Sequence, residues 1–145
     1  MSIKNFFSET GKQEILDAIK KAEQNTSGEI RVHIESKCKG ETLDRASTIF
    51  NQLKMHKTEL RNGVLFYVSI DDRKFAILGD AGINAKVPDG FWDDITTMVI
   101  SKFQNNEYAV GLASGIIEAG NQLKKHFPHQ SDDINELSDD ISFGE

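Results

Sequence analysis

The stretch "NGVLFYVSIDDRKFAILGD", residues 62–80, decides the fold of this 145-residue chain. Residues 63–70 form an unbroken apolar run, rich in Val and aromatic residues and bounded by turn signals. Such a run indicates a central strand that is covered on both faces. The polar residues 71–74 make a tight connection into a further strand over 74–79. The sequence therefore predicts that the central strand and the strand after it form an antiparallel β-hairpin.

Upstream, residues 29–36 alternate between apolar and polar side chains. This pattern predicts a half-buried strand at an edge of the sheet. A helix over residues 42 to about 55 must join that strand to the central one, so the two strands are expected to be parallel, with a right-handed crossover. The stripe of that helix expected to be buried consists of Leu43, Ala46, Phe50 and Leu53.

Helical spacing of apolar residues predicts three more helices, over residues 9–25, 88–104 and 107–126. Ser8 is suited to cap the first, and Pro88 suits the first turn of the second. The small residues Gly111, Gly115 and Ala119 recur every four positions and predict a close helix contact. The element order is α-β-α-β-β-α-α, which is typical of a three-layer α/β/α sandwich around a small mixed β-sheet. We expect one domain over residues 1–127.

Residues 128–145 form an acidic C-terminal tail that holds six acidic residues and no Lys or Arg. The rest of the chain carries 17 acids and 17 bases, so the body is neutral. Without a basic face, nucleic acid and anionic membranes are excluded as expected partners. The tail also contains four apolar residues, which predict a strip that docks on the domain or on a protein partner: Ile134, Leu137, Ile141 and Phe143.

The remaining composition indicates a cytoplasmic protein. No apolar run approaches membrane-spanning length, and the first ten residues lack a secretory apolar segment. A single cysteine, Cys38, excludes an internal disulfide. No P-loop, paired-glycine dinucleotide motif or HExxH zinc helix is present.

The predicted topology brings several acidic and amide side chains to one edge of the sheet. The end of the third strand at Asp80 should lie beside Arg61 and Asn62, with Glu29 on the same edge. A helix beginning at Pro88 would add two carboxylates, four residues apart, on one helix face. We call this edge the acidic rim, and its candidate metal ligands are Glu29, Asn62, Asp80, Asp89 and Asp93.

Carboxylates brought together without cations repel one another, and a hard divalent ion relieves that repulsion. Oxygen ligands favour Ca²⁺ or Mg²⁺ over zinc. The alternative interpretation is that Asp89 and Asp93 only make a favourable acidic helix start and that Asp80 is ordinary turn chemistry. If the site is catalytic, Asp80 and Asp89 would hold the ion, with Asp93 as a further candidate ligand, and Arg61 would clamp a phosphate.

Two longer motifs carry a family resemblance. The segment "NGVLFYVSIDDRKFAILGDAGIN" at 62–84, then a Trp-containing helix, then "FQNNEYAVGLASGI" at 103–116, resembles the TPM domain. That family was founded on a thylakoid-lumen acid phosphatase, a photosystem II repair protein and a nematode receptor auxiliary protein. Body and tail together are similar to its soluble bacterial branch. The family's strand-end turn usually reads Gly-aromatic-Gly; here it is Gly79-Asp80-Ala81-Gly82, one residue longer and with an added carboxylate.

The resemblance implies an α/β/α domain, divalent-metal binding at the acidic rim, and phosphatase activity in some members only. Three functions stay open at this point. The first is a non-catalytic or regulatory module that binds Ca²⁺ or Mg²⁺. The second is a metal-dependent acid phosphatase acting on phosphomonoesters. The third is a structural adaptor without metal.

Overall fold

The computed structural model describes residues 3–129 and 140–144. A short 3₁₀ helix, Ile3–Asn5, precedes the first α-helix. The remaining elements, in chain order, are α1 Glu9–Asn25, β1 Glu29–Glu35, α2 Thr42–Gln52, β2 Gly63–Ser69, β3 Lys74–Gly79, α3 Ala81–Lys86, α4 Asp93–Gln104, α5 Tyr108–Leu123 and β4 Ser142–Phe143. The predicted order is confirmed for seven of these elements, whereas α3 and β4 were not predicted.

The four strands form one mixed sheet in the order β3-β2-β1-β4. β1 and β2 are parallel, with Glu29 opposite Gly63, and β2 and β3 form the predicted antiparallel hairpin. β4 is parallel to β1 and pairs with it at His33 and Ile34. The parallel pairing of β1 and β2 and the antiparallel hairpin were therefore both predicted correctly.

Every residue of β2 is buried, because helices cover both faces of the sheet. On one face Val64, Phe66 and Val68 share a hydrophobic core with residues of α1, α4 and α5. On the other face Leu65 and Tyr67 pack with residues of α2. This arrangement confirms the three-layer α/β/α sandwich.

The prediction that β1 is a half-buried edge strand was wrong. β1 lies between β2 and β4, and three of its polar side chains are buried: Glu29, His33 and Glu35. Alternation along a strand shows which side chains share a face, but it does not show whether a second layer covers the polar one. Here Arg45 of α2 bonds to Glu35 from the layer above the sheet, and Ser142 of the neighbouring strand β4 bonds to His33.

The predicted buried stripe of α2 was wrong at Leu43, which is 51% exposed, and the helix ends at Gln52 instead of near Met55. The residues of α2 that pack into the core are Ala46, Ile49 and Phe50. Leu43 lies in the first turn of the helix. Helical spacing gives the direction of a side chain but not the position at which the neighbouring layer ends.

The helix predicted to begin at Pro88 begins at Asp93 instead. Gly90 has a φ of +76°, which is incompatible with a right-handed helix and ends any helical run through this segment. Asp89 therefore lies in the turn before α4. The prediction that Asp89 and Asp93 share one helix face was wrong.

The close helix contact predicted from the small residues of α5 is confirmed. A Cβ atom on Gly115 would lie 2.5 Å from Cγ2 of Val99 in α4, and one on Gly111 would lie 2.9 Å from Cβ of Lys102. Glycine at these positions lets α4 approach α5 more closely than any side chain would allow.

The end of the tail docks on the domain. Ile141 and Phe143 are partly buried against the core, and the backbone N–H of Gly144 donates to the carbonyl oxygen of Ile34 at 2.8 Å. Ile141 and Phe143 thus pack on the domain, one of the two alternatives that the sequence left open, whereas Ile134 and Leu137 lie outside the described residues. In the part of the chain that the structure describes, no helix combines the length and the apolarity needed to cross a membrane.

Replacing Phe143 with alanine tests this docking. Because the ring is only partly buried, Phe143→Ala should lower the free energy of unfolding by roughly 1–2 kcal/mol, below the cost of emptying a fully buried aromatic site. Urea denaturation measures the change. Leu43→Ala is the matched control, since its side chain is exposed and its loss should cost under about 0.5 kcal/mol. Equal effects of the two variants would contradict the docked tail.

Candidate functional site

Backbone hydrogen bonds assemble the acidic rim at one edge of the sheet. The N–H of Glu29 donates to the carbonyl oxygen of Asn62 at 3.1 Å, and the N–H of Asp80 donates to that of Gly63 at 2.9 Å. Glu29, Asn62 and Asp80 are all buried. The strand register thus brings these three predicted residues together, because the starts of β1 and β2 adjoin the end of β3.

Asp80 and Arg61 form a two-pronged ion pair. Nε of Arg61 donates to Oδ2 of Asp80 at 2.8 Å, and Nη2 donates to Oδ1 at 2.8 Å. The hydrogen bond to Asp80 raises the pKa of Arg61. The side chain of Asp80 is buried, whereas that of Arg61 is 50% exposed. The two residues predicted to act in catalysis therefore lie together, but the guanidinium is engaged by Asp80.

The backbone around this ion pair is tightly constrained. Arg61 has a left-handed φ of +50°, and the N–H of Gly82 donates to its carbonyl oxygen at 2.9 Å. A Cβ atom on Gly82 would lie 2.1 Å from the carbonyl oxygen of Leu60, so only glycine fits there. Asp80 also caps α3, because its Oδ1 accepts from the N–H of Ala81 at 2.7 Å.

Asn62 contributes a buried acceptor without a partner. Its side-chain amide donates to the carbonyl oxygen of Ser27 at 2.9 Å, which fixes the orientation of the group. Its Oδ1 atom is buried and accepts no hydrogen bond from the described residues. Leaving a buried polar atom unsatisfied costs about 1–3 kcal/mol, so a ligand or an ordered water is expected to meet it.

Asp89 and Asp93 lie in a segment connected to the same end of the sheet. Phe91 contacts the ring of His126 at 5.7 Å, and Lys86 lies 4.7 Å from the centroid of Phe127. The carbonyl oxygen of Phe127 in turn accepts from the N–H of Ser27, next to the start of β1. Both carboxylates are exposed, and neither is ion-paired within residues 3–129 and 140–144.

The described residues do not contain a ready-made cage for a metal ion. No group of three or more His, Cys, Asp or Glu side chains among them is placed to hold one. The residues that the structure brings together at the rim are Glu29, Arg61, Asn62 and Asp80, while Asp89 and Asp93 belong to the neighbouring turn and the first turn of α4.

A second polar cluster, buried between the sheet and α2, was not predicted from the sequence. Glu35 accepts hydrogen bonds from Nε and Nη2 of Arg45, both at 2.9 Å, and from the hydroxyl of Tyr67. Nε2 of His33 lies 3.2 Å from Oε1 of Glu35, and Nδ1 of His33 lies 2.8 Å from Oγ of Ser142 in β4. The cluster therefore connects β1, β2, α2 and the docked tail.

Burial and hydrogen bonding shift the pKa values of this cluster in defined directions. Burial opposes ionisation of Glu35, but the hydrogen bonds from Arg45, Tyr67 and His33 outweigh it and lower its pKa to about 2. Burial lowers the pKa of His33. Burial, together with the hydrogen bond to Glu35, raises the pKa of Tyr67.

One signal in the sequence could have indicated this cluster. The register places His33 directly opposite Tyr67 on neighbouring strands, and the two rings stack with centroids 6.1 Å apart. A tyrosine inside an otherwise apolar central strand needs a partner for its hydroxyl. The polar face of the neighbouring parallel strand, β1, supplies that partner in Glu35.

Comparison with known proteins gives the chain a family and a fold. A family model described as the TPM domain matches residues 3–122. The NMR structure of the BA42 protein from the psychrophilic bacterium Bizionia argentinensis is 45% identical, covers 99% of both chains and superposes with a TM-score of 0.92. No curated protein matches the chain.

Two more distant structures share the fold alone. The N-terminal domain of a protein from P. gingivalis is 20% identical, with a TM-score of 0.69, and the match covers 86% of this chain and 81% of that one. The N-terminal domain of cg2496 from Corynebacterium glutamicum is 14% identical, with a TM-score of 0.62, and the match covers 99% of this chain and 84% of that one.

The Glu35 cluster predicts a characteristic dependence of stability on pH. Since the pKa of His33 is lowered from 6.5, the unfolded chain binds a proton that the folded chain does not, and stability should fall as the pH drops below 6.5. The ionised Glu35 contributes stability that is complete above pH 4.5 and is lost as the pH falls towards about 2. The pKa of Tyr67 is raised above its ordinary value of 10, so the unfolded chain loses that proton first and stability should also fall as the pH rises above 10.

Urea denaturation between pH 3 and pH 10.5 measures this profile, and Glu35→Gln identifies its source. That variant should lose the slope below pH 4.5, in addition to a general loss of stability of about 3 kcal/mol from leaving Arg45 without its partner. Glu14→Gln, at an exposed position of α1, is the control and should keep the slope. A Glu35→Gln profile parallel to that of the wild type would contradict the assignment.

Proposed function

Because this chain belongs to the TPM domain family, we propose that it is a non-catalytic or regulatory module that binds a divalent cation, Ca²⁺ or Mg²⁺, at the acidic rim. The observation that carries the proposal is the unpaired Oδ1 of Asn62, buried on the same edge as Asp80. An amide oxygen held without a donor is the kind of ligand that these hard cations take.

The donor set supports a hydrated ion better than one enclosed by protein. Mg²⁺ keeps several of its waters and is commonly held by one or two carboxylates, so the lack of a three-carboxylate group does not argue against it. Asp80 would be a direct ligand, with Oδ1 of Asn62 as the second oxygen. Glu29 lies at the same rim, and Asp89 and Asp93 would act from its periphery through water.

Arg61 gives the proposal a specific consequence. In the structure its guanidinium neutralises Asp80, so a cation that binds Asp80 must compete with it. Two cations on one carboxylate repel each other, and the half-exposed side chain of Arg61 is able to swing into solvent. We therefore propose that Arg61 weakens ion binding and makes it depend on the ion concentration.

The acidic tail is proposed to recruit a protein partner through residues other than Ile141 and Phe143, which pack against the tail's own domain. The end of the tail is anchored beside His33, far along β1 from the rim at Glu29. Ion binding at the rim and recruitment by the tail are therefore separable functions of one domain.

Ion titration tests the proposal. An ion present at ten times its dissociation constant stabilises the folded state by about 1.4 kcal/mol, which raises the melting temperature by several degrees. We expect such a rise for the wild type with millimolar Ca²⁺ or Mg²⁺. The rise should disappear in Asp80→Asn and persist in Asp71→Asn, a matched control in the exposed turn of the hairpin at the opposite edge of the sheet.

Each variant is compared with itself with and without ion, so the stability lost with the Arg61–Asp80 ion pair cancels. A second variant, Arg61→Gln, removes the competing cation and should tighten binding at least threefold. Absence of any ion-induced shift in the wild type, with both ions tested, would overturn the proposal.

The alternative function, a metal-dependent acid phosphatase, predicts turnover of a generic phosphomonoester such as p-nitrophenyl phosphate. Turnover that requires divalent ion and is abolished in both Asp80→Asn and Arg61→Gln would establish the enzyme. The engagement of Arg61 by Asp80 favours the module, since the guanidinium must leave Asp80 before it binds a phosphate. We expect no turnover that depends on Asp80.

A further inference from the structure

A pocket lies at the edge of the sheet opposite the acidic rim, where β2 ends at Ser69. Its volume is about 340 Å³, within the range of small-molecule sites. The side chains that line it come from the hairpin turn, α4 and the start of α5: Arg73, Ile100, Phe103, Gln104, Asn106 and Tyr108. Arg73 is the sole charged residue of this lining, so the pocket has the opposite charge to the acidic rim.

Arg73 occupies an unfavourable backbone position for its residue type. It has a φ of +54° in the turn that joins β2 to β3, a position that glycine or asparagine fills more easily. An arginine there costs about 1 kcal/mol of backbone strain. Arg61 has the same conformation, and its guanidinium forms the ion pair with Asp80.

Unlike Arg61, Arg73 has no hydrogen bond or ion pair to its guanidinium within the described residues. The neighbouring carboxylate of Asp72 has other partners, since its Oδ2 accepts from the N–H of Cys38 and, at 3.4 Å, from the hydroxyl of Ser69. A cation that borders a cavity and makes no ion pair is suited to bind an anion.

Aromatic side chains form one wall of the pocket. The rings of Phe103 and Tyr108 lie 4.8 Å apart and are tilted by 31°, and Phe75 packs edge-on against Phe103 at 5.6 Å. This wall is rigid, because Phe75 belongs to the core and holds the ring of Phe103 in place. A flat apolar group fits such a surface.

The polar side of the pocket is also held in place by the fold. Asn106, two residues beyond the end of α4, has a φ of +62°, and the N–H groups of Asn106 and Glu107 bond back to the carbonyl oxygens of Phe103 and Lys102, each at 2.9 Å. This helix-ending turn sets the backbone of Gln104 and Asn106, whose amides are able to donate to an anion.

We propose that this pocket binds a small organic anion that carries one or two aromatic rings and a carboxylate. The carboxylate pairs with Arg73, and the rings pack on Phe103 and Tyr108. The volume limits the ligand to roughly the size of a bicyclic aromatic acid. The site is independent of the acidic rim and requires no metal ion.

The test is an amide NMR titration of the full chain with 2-naphthoate, alongside its neutral analogue 2-naphthamide. We expect saturable shifts at Ser69, Arg73 and residues 103–108, with a millimolar or tighter dissociation constant. The neutral analogue should bind about tenfold more weakly, since it loses a charge-assisted pair.

Arg73→Gly is the decisive variant, because glycine suits the left-handed backbone and folding is not at risk. It should weaken 2-naphthoate binding about tenfold and leave 2-naphthamide nearly unchanged. Lys74→Gln, one residue along the chain and outside the lining, is the matched control and should change binding less than twofold. Failure to bind, shifts centred on another surface, or unchanged affinity in Arg73→Gly would each overturn the proposal.

Discussion

The ion pair between Arg61 and Asp80 is the interaction on which the acidic rim depends. Asp80 is buried, and a buried carboxylate needs a counter-charge or hydrogen-bond donors. Arg61 supplies the charge, but only because its backbone takes a left-handed conformation that aims the guanidinium at the end of β3. The close approach of Gly82 to the carbonyl groups of the same turn fixes that conformation. A cation that bound Asp80 would therefore have to compete with the guanidinium of Arg61.

Polar groups are distributed over the sheet in three separate places with different roles. The rim at Asp80 is acidic apart from Arg61, and the pocket at Arg73 is cationic. Between them the cluster around Glu35 is enclosed and satisfied, with Arg45, Tyr67 and His33 all bonded to one carboxylate. This third cluster stabilises the fold: it connects α2 to the sheet through Arg45 and, through Ser142, holds the tail on β1. The rim and the Arg73 pocket are the two places at which we propose that ligands bind.

Much of the fold was predictable because the apolar run of β2 leaves few alternatives. A strand buried on both faces requires helices above and below it, and the hairpin and the parallel crossover follow from the order of the elements. The strand β4 was not predictable, since its two residues have no periodicity and pair only through the tertiary fold. The start of α4 was missed because Gly90 breaks a helix that Pro88 had suggested. At the site, topology predicted that the backbone of Glu29, Asn62 and Asp80 meets at one edge of the sheet, whereas the bond between Arg61 and Asp80 depends on a backbone angle that no spacing reveals.

The most direct measurement is the Nε–H resonance of Arg61, followed by NMR while Mg²⁺ or Ca²⁺ is added to the 145-residue chain. If a cation displaces the guanidinium from Asp80, this resonance and the backbone amides of Asn62 and Asp80 will shift together, with one dissociation constant. An Arg61 resonance that stays unchanged up to tens of millimolar ion, or one that shifts while Asn62 and Asp80 do not, would contradict cation binding at this rim.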